Sequence, residues 1–288
     1  MSRTHYFGAH FSVAGGLENA LYTARKLDCD AVQIFTKNAR SWKDPNLTEE
    51  QVGRFRNAKK ETAIHLIFSH CTYLINIASK EPEKLEKSIS ALLAEMERSG
   101  LLGLTGVVLH PGAHLGRGTD AGLETARQSL NSVLSLDDGT FPELLIETTA
   151  GAGTCLGSRF EEIGQLIQSL DRPQAVGVCL DTSHVFAAGY DLRSPSALNA
   201  TLDEFHRHID IQRLRLIHAN DSIPPLGSRK DRHTHIGNGE IGTTGFSAIL
   251  TDDRLKSLPV ILETPKEEAG ADMDEINLKK LKALALWP

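Results

Sequence analysis

The most informative residues of this 288-residue chain are histidines, aspartates and glutamates that directly follow short apolar runs. Six consecutive runs end on such a residue, and a further Asp-x-His pair occurs in the polar stretch after the next-to-last run. One residue of this kind is usually a helix cap or a paired buried group, but six in a row point to a metal site. The candidate ligands are His70, His110, Glu147, Asp181, His184, His218, Asp231, His233 and Glu263.

This ligand set defines the chemistry that the chain could perform. Five imidazoles and four carboxylates without a thiolate suit Zn²⁺, with Mn²⁺ or Fe²⁺ as substitutes. Nine ligands exceed the needs of one ion, so we expect two or three ions that share bridging carboxylates. Clustered divalent ions suit phosphoryl chemistry, because one generates hydroxide near neutral pH while its neighbours bind the scissile phosphate and the leaving oxygen.

Such a site needs a scaffold that brings the ends of distant strands together. Stretches with helical period, centred on residues 17–27, 85–96 and 160–170, alternate with the short apolar runs. This alternation predicts an α/β fold, a single (β/α)₈ TIM barrel over residues 1–288 with the metal site at its C-terminal mouth. The predicted strands are residues 5–9, 31–35, 63–68, 106–109, 143–146, 176–180, 214–217 and 259–262.

Two local patterns refine this prediction. The alternative architecture is an open doubly wound sheet, but the glycines of residues 151–157 miss the dinucleotide-binding spacing by one residue and give a nicotinamide site little support. The helix of residues 85–96 is predicted to end at Ser99-Gly100, because glycine commonly terminates helices.

The net charge bears on the partner of the protein. Its value of −6 at pH 7, taken alone, argues weakly against a nucleic-acid partner, which usually requires a basic surface. Three bound Zn²⁺ ions would offset that charge and make the mouth strongly positive. A polyanionic substrate therefore stays compatible with the composition.

Several absences in the sequence favour a cytoplasmic protein. No run approaches the ~18–20 apolar residues of a membrane span, and the first residues lack the apolar core of a signal peptide. The four cysteines show no C-x-x-C spacing, which is typical of free thiols in a reducing compartment.

The motifs around the candidate ligands resemble the endonuclease IV family of apurinic/apyrimidinic (AP) endonucleases along nearly the whole chain. The resemblance implies a trinuclear zinc TIM-barrel enzyme of base-excision repair. Such an enzyme cleaves the phosphodiester 5′ to an abasic site in duplex DNA, leaves a 3′-hydroxyl, and removes blocking groups from 3′ ends. The matching stretches are GAHFS (8–12) with Gly15-Gly16, FTKNARSW (35–42), HCTYLIN (70–76), HPGAH (110–114), ETTAG (147–151), CLDTSH (179–184), GYD (189–191), HAND (218–221), GSR (227–229), DRH (231–233) and LET (262–264).

The resemblance also implies a role for each candidate. Glu263 would orient the attacking hydroxide, and both Glu263 and Glu147 would be catalytic. Arg40, Tyr73 and Leu74 would enter the DNA at the lesion; without the family, Tyr73 and Leu74 could equally be core residues. The implied ligand sets are His70, His110 and Glu147 for the first zinc, Glu147 (bridging), Asp181, His218 and Glu263 for the second, and His184, Asp231 and His233 for the third.

Some points stay open at this level. Thr148 stands where Asn is expected and Thr234-His235 follows His233 where the family varies, which leaves the hydrogen bonds around the ligands undefined. A metal-dependent sugar isomerase or epimerase of the related barrels is the alternative function. It gives no task to the Asp231/His233 cluster or to the Arg40, Tyr73 and Leu74 loops. Family resemblance further suggests a monomer, in the cytoplasm and associated with the nucleoid if the source is bacterial.

Overall fold

Eight parallel strands form a closed barrel, which confirms the predicted TIM-barrel fold. The computed structural model describes residues 5–268 and 270–286. Each strand pairs with the next along the chain, and the last strand pairs with both the seventh and the first. Within the described ranges the barrel strands are β1 (Tyr6–His10), β2 (Ala31–Ile34), β3 (Leu66–His70), β4 (Gly106–Leu109), β5 (Glu143–Glu147), β6 (Val176–Asp181), β7 (Leu214–His218) and β8 (Pro259–Leu262).

Helices cover the outside of the barrel and bury their apolar faces against the strands. Two short antiparallel pairs lie in the loops at the mouth: Asp221–Ser222 with His233–Thr234, and Glu267–Glu268 with Ala271–Asp272. The described helices are α1 (Glu18–Lys26), α2 (Glu49–Thr62), α3 (Pro82–Leu102), α4 (Thr119–Leu134), α5 (Phe160–Gln168), α6 (Thr182–Ala188), α7 (Pro195–His208), α8 (Gly242–Thr251) and α9 (Met273–Leu284).

The barrel interior is a packed layer of apolar side chains that supports the site. Because side chains alternate in direction along a strand, the residue two positions after each layer member also points inward, one level closer to the mouth. The residue two positions after the layer member is a His, Asp or Glu at the end of six strands and Gln33 on β2. The packed layer consists of Ala31, Phe68, Val108, Leu145, Cys179, Leu216 and Ile261.

Two of the predicted boundaries are three residues off, for identifiable reasons. Helix α3 continues past Ser99-Gly100 to Leu102 and ends at Gly103, which has the left-handed φ of 65°. Gly100 serves packing instead, since a Cβ there would lie 2.6 Å from the backbone oxygen of Thr140. Strand β3 begins at Leu66 rather than at residue 63, because Ala63 terminates helix α2 in a left-handed conformation.

Candidate metal centre

Glu147, the last residue of β5, lies at the centre of the site and is fully buried. Its Oε2 lies 2.9 Å from Nε2 of His70 and 3.0 Å from Nε2 of His110. Its Oε1 lies 3.1 Å from Nδ1 of His218 and 3.3 Å from Nδ1 of His184. The two oxygens of one carboxylate thus face different sets of imidazoles, which is the arrangement that a bridging ligand requires.

The candidate ligands assemble into three groups whose ligand atoms lie within 4.8 Å of one another. Asp231 lies at the rim beside the third group, and its two oxygens are each 3.2 Å from a ring nitrogen, of His184 and of His233. The structure therefore brings all nine predicted residues to one place, and their roles as ligands stay a prediction. The groups are His70, His110 and Glu147; Glu147, Asp181, His218 and Glu263; and Asp181, His184 and His233.

Two buried nitrogens without a hydrogen-bond partner in the described part of the chain bear on whether these residues fit metal ions. Nε2 of His110 and Nε2 of His233 have no hydrogen-bond partner among the described residues. Each nevertheless lies near a carboxylate oxygen, at 3.0 Å from Glu147 and 3.2 Å from Asp231. Two ligand atoms bound to one tetrahedral zinc ion at about 2.0–2.1 Å are roughly 3.3 Å apart. The unpaired nitrogens and their spacing therefore fit atoms that share an ion.

The charges in the site also suit cations. Burial disfavours a charged Glu147, but His110 and His218 outweigh this cost and hold the pKa of its carboxyl well below its usual range. Burial acts the same way on Glu263, and His218 again lowers the pKa well below its usual range. Burial would lower the pKa of His233, yet two aspartates raise it to about 9. The two carboxylates are thus ionised and offer negatively charged oxygen ligands to a metal ion.

Backbone carbonyls fix the orientation of two of the imidazoles. Nδ1 of His70 donates to the carbonyl of Cys71 at 2.7 Å, and Nδ1 of His184 donates to the carbonyl of Thr148 at 2.9 Å. In both rings Nε2 then points into the site. Thr148 also accepts from the N–H of Asp181 through its hydroxyl, at 3.0 Å, so threonine at this position takes part in the hydrogen bonds around the ligands.

A family model for the xylose isomerase-like TIM barrel matches residues 21–284. "Probable endonuclease 4" of Chloroflexus aggregans is 42% identical over 278 residues, which cover 96% of this chain and 97% of the relative. The same-named protein of Halorhodospira halophila is 44% identical over 264 residues, covering 91% and 89% of the two chains. The chain belongs to the endonuclease IV family.

Solved structures agree with this membership. The crystal structure of endonuclease IV from Thermus thermophilus superposes with a TM-score of 0.85 at 35% identity, covering 97% of this chain and 98% of that one. A 3-keto-D-glucoside 4-epimerase from E. coli matches with a TM-score of 0.70 at 14% identity, covering 97% of this chain and 98% of that one, which shows a shared fold alone. The family predicted from the sequence motifs is therefore confirmed.

The residues predicted to enter DNA lie on two loops at the same mouth. Tyr73 and Leu74 form a turn after β3, and Tyr73 is 75% exposed, with its ring centroid 6.2 Å from that of His70. Tyr73 is therefore not a core aromatic residue, whereas Leu74 is half-buried. Arg40 is exposed on the loop after β2. The DNA-binding roles of all three stay predictions.

Ion pairs between two buried cations and the partly exposed Asp44 fasten the loop that carries Arg40 to helix α3. Asp44 accepts from Nζ of Lys37 at 2.8 Å and from Nη1 of Arg98 at 3.0 Å. Arg98 also donates through Nη2 to Glu95 at 2.6 Å. Lys37, Glu95 and Arg98 are all buried. This endonuclease IV relative thus holds the base of the loop rigidly while Arg40 stays accessible.

Asp221 anchors the loop that carries Asp231 and His233. Gly239 must be a glycine in that loop, because a Cβ would lie 2.4 Å from the backbone oxygen of Ser222. The buried Asp221 carboxylate accepts from the backbone N–H groups of Ser222, Gly237, Gly239, Ile241 and Gly242. His235, left open by the sequence, turns away from the site and contacts Asn277 of α9 at 3.0 Å.

Two residues of the site, His10 and Gln33, were not among the candidates predicted from the sequence. Gln33 is fully buried and contacts both Glu263 and His218, and His10 contacts Gln33 at 3.0 Å. A signal was present, since Gln33 is a polar residue inside an apolar strand and buried polar groups need partners.

No helix in residues 5–268 and 270–286 is long and apolar enough to cross a membrane.

Proposed function

We propose that this chain is a DNA repair endonuclease that hydrolyses the phosphodiester 5′ to an abasic site, leaves a 3′-hydroxyl, and trims blocked 3′ ends. Relatives called "Probable endonuclease 4" at 40–44% identity support the endonuclease activity. The observation that carries the proposal is Glu147, whose two oxygens lie within 3.3 Å of four imidazoles contributed by different parts of the barrel.

The ions would be zinc, three per chain, with Mn²⁺ or Fe²⁺ as substitutes. When bound, they supply Lewis acids for the scissile phosphate and lower the pKa of water. Glu147 would be shared between the first two. The residues that would hold them are His70, His110 and Glu147; Glu147, Asp181, His218 and Glu263; and His184, Asp231 and His233.

Glu263 would act on the attacking water. It follows β8 at the mouth, and its Oε2 lies 3.2 Å from Nδ1 of His218. Because its low pKa keeps it ionised, it can accept a hydrogen bond from the water and direct a lone pair at phosphorus. The new bond joins the water oxygen to phosphorus, the bond from phosphorus to the O3′ leaving group breaks, and a proton ends on that O3′.

The surroundings of the site suit a duplex DNA partner. Arg229, Lys230 and Arg232 are exposed on the loop beside Asp231 and offer contacts to phosphates. Arg40 and the exposed Tyr73 lie on the neighbouring loops, and with Leu74 they would fill and support the opened stack at the lesion. We further propose that the chain works as one domain and as a monomer, in the compartment that holds the chromosome.

Metal content is the first expected result. Purified native protein should contain about three ions per chain, mostly zinc, because three groups of side chains need them. Brief treatment with a chelator should leave more activity than it leaves for a Mg²⁺-dependent nuclease, since protein ligands hold these ions. Elemental analysis by mass spectrometry measures the content, and one ion or none would contradict a trinuclear centre.

A second expected result concerns lesion recognition by Tyr73 and Leu74. The variant Tyr73→Ala/Leu74→Ala should bind abasic duplex more weakly by roughly 1–3 kcal/mol per lost stacking contact. Its metal content should be unchanged, and trimming of 3′ blocks should suffer less because a frayed end needs little unstacking. Binding titrations with both substrates check this result. The control is Tyr22→Ala/Leu136→Ala, whose exposed side chains lie on helix α1 and just after helix α4. Equal losses on both substrates would reduce the pair to a structural role.

The proposed function itself is tested on a duplex with one tetrahydrofuran abasic analogue. We expect a single incision 5′ to the analogue, with a 3′ end that a polymerase extends, and no change of an undamaged duplex. A panel of ketoses serves as the comparison, because a sugar isomerase or epimerase of this fold would convert one of them. Conversion of a ketose without incision of the duplex would overturn the proposal.

A further inference from the structure

Gln33 connects two of the candidate ligands through a single side chain. It lies on β2, fully buried, at the same level of the barrel interior as the ligand residues. Its Nε2 lies 2.6 Å from Oε1 of Glu263 and 3.0 Å from Nδ1 of His10. Its Oε1 lies 2.8 Å from Nε2 of His218. All three polar neighbours are thus within hydrogen-bond distance of one amide.

The chemistry of the neighbours fixes how this amide must point. An ionised carboxylate only accepts hydrogen bonds, so the amide nitrogen of Gln33 has to face Glu263. The amide oxygen then faces His218 and accepts from Nε2, which places the ring proton on that nitrogen. Nδ1 of His218 is left as the atom that points at Glu147, at 3.1 Å.

We propose that Gln33 is a positioning residue for the second metal ion: its amide holds His218 with Nδ1 directed into the site and holds Glu263 in a fixed orientation. This inference rests on the proposed function, and it adds a residue on β2 to a centre whose candidate ligands come from the later strands. Groups that orient metal ligands typically change metal affinity or activity by 10–100-fold when they are removed.

Packing of the barrel interior does not require an amide at position 33. The strand residues beside it are apolar and buried, and the position two residues before it is Ala31 of the packed layer. An apolar side chain here would be easier to bury than an amide. It would leave Nε2 of His218 and an oxygen of Glu263 with one partner fewer, so the amide stabilises the site rather than the core.

The test compares Gln33→Met with wild type and with Ser69→Ala. Methionine keeps the length of the side chain and removes the hydrogen bonds to Glu263, His218 and His10. Ser69→Ala, on the neighbouring strand β3, is the matched control, because it removes a buried contact to Ser99 of α3 (3.0 Å) that lies outside the ligand layer. For each protein we would measure the zinc retained against increasing chelator, the thermal unfolding temperature, and kcat and KM on the tetrahydrofuran duplex.

We expect Gln33→Met to lose about one ion per chain at a chelator concentration 10–100-fold lower than wild type requires. Its kcat should fall while KM changes little, and Ser69→Ala should behave as wild type. If Gln33→Met does not fold, Gln33→Ala, which leaves room for water, should show the same early loss of metal. Wild-type retention in a folded variant, or equal loss in Ser69→Ala, would overturn the inference. Wild-type protein without any ion would overturn the proposed function together with it.

Discussion

Replacing Glu263 with glutamine is expected to lower the rate of incision by roughly 10²- to 10⁴-fold, the usual contribution of a positioned acid or base. Glutamine has nearly the same shape, so Gln33 can still donate to its oxygen. Its amide group then faces His218, where the carboxylate Oε2 now lies at 3.2 Å. An amide N–H there neither ligates an ion nor accepts a hydrogen bond from water, whereas contacts to DNA should be untouched.

Single-turnover incision, equilibrium DNA binding and metal content, measured together, check the Glu263→Gln result. Binding should largely persist. The control is Glu267→Gln, which makes the same change of charge at an exposed position four residues along the same loop. Near-normal turnover of Glu263→Gln with its metals intact would mean that another group directs the water and that Glu263 is only a ligand.

Glu147→Gln is expected to remove at least one ion per chain and to reduce incision below detection. The carboxylate faces His70 and His110 with one oxygen and His184 and His218 with the other. Glutamine offers an oxygen to one side alone, and its N–H₂ group repels an ion on the other. Because one residue would serve two ions, the loss should exceed that caused by replacing a ligand of a single ion.

The control for this variant lies on the same strand. Glu143 begins β5 at the opposite end of the barrel and pairs with Arg215 at 3.0 Å. Glu143→Gln should keep full metal content and normal incision, since its partially exposed ion pair contributes little. Elemental analysis with an incision assay separates the two variants, and Glu147→Gln with three ions would exclude the bridging role.

The sequence was sufficient to predict the barrel and the residues that end its strands. The reason is physical: parallel strands buried on both faces are nearly continuous apolar runs, so a His or Glu at the end of each run is conspicuous. Strands β3, β5, β6 and β7 extend to the ligand residue itself, one position or more beyond the apolar run. The period of two along each strand then brings these residues to one level.

Residues that act through other side chains were harder to predict. Gln33 is not of a metal-ligating type, and its partners lie 185 and 230 positions away, so no local pattern reveals them. Glu95 and Arg98 occur at spacings typical of a solvated helix face, yet both are buried because the loop after β2 packs over them. In each case a contact between distant segments decides the outcome, and periodicity within one segment cannot encode it.

The pairing of β8 with both β1 and β7 has a consequence for how the protein is made. Glu263 directly follows β8, so it is synthesised after the other seven strands of the barrel. Until then the first and seventh strands each lack a partner on one side, and the carboxylate that we propose to direct the water has not been made. A chain that ends before β8 is therefore expected to lack cutting activity. Incision of chromosomal DNA would therefore require that the barrel has closed.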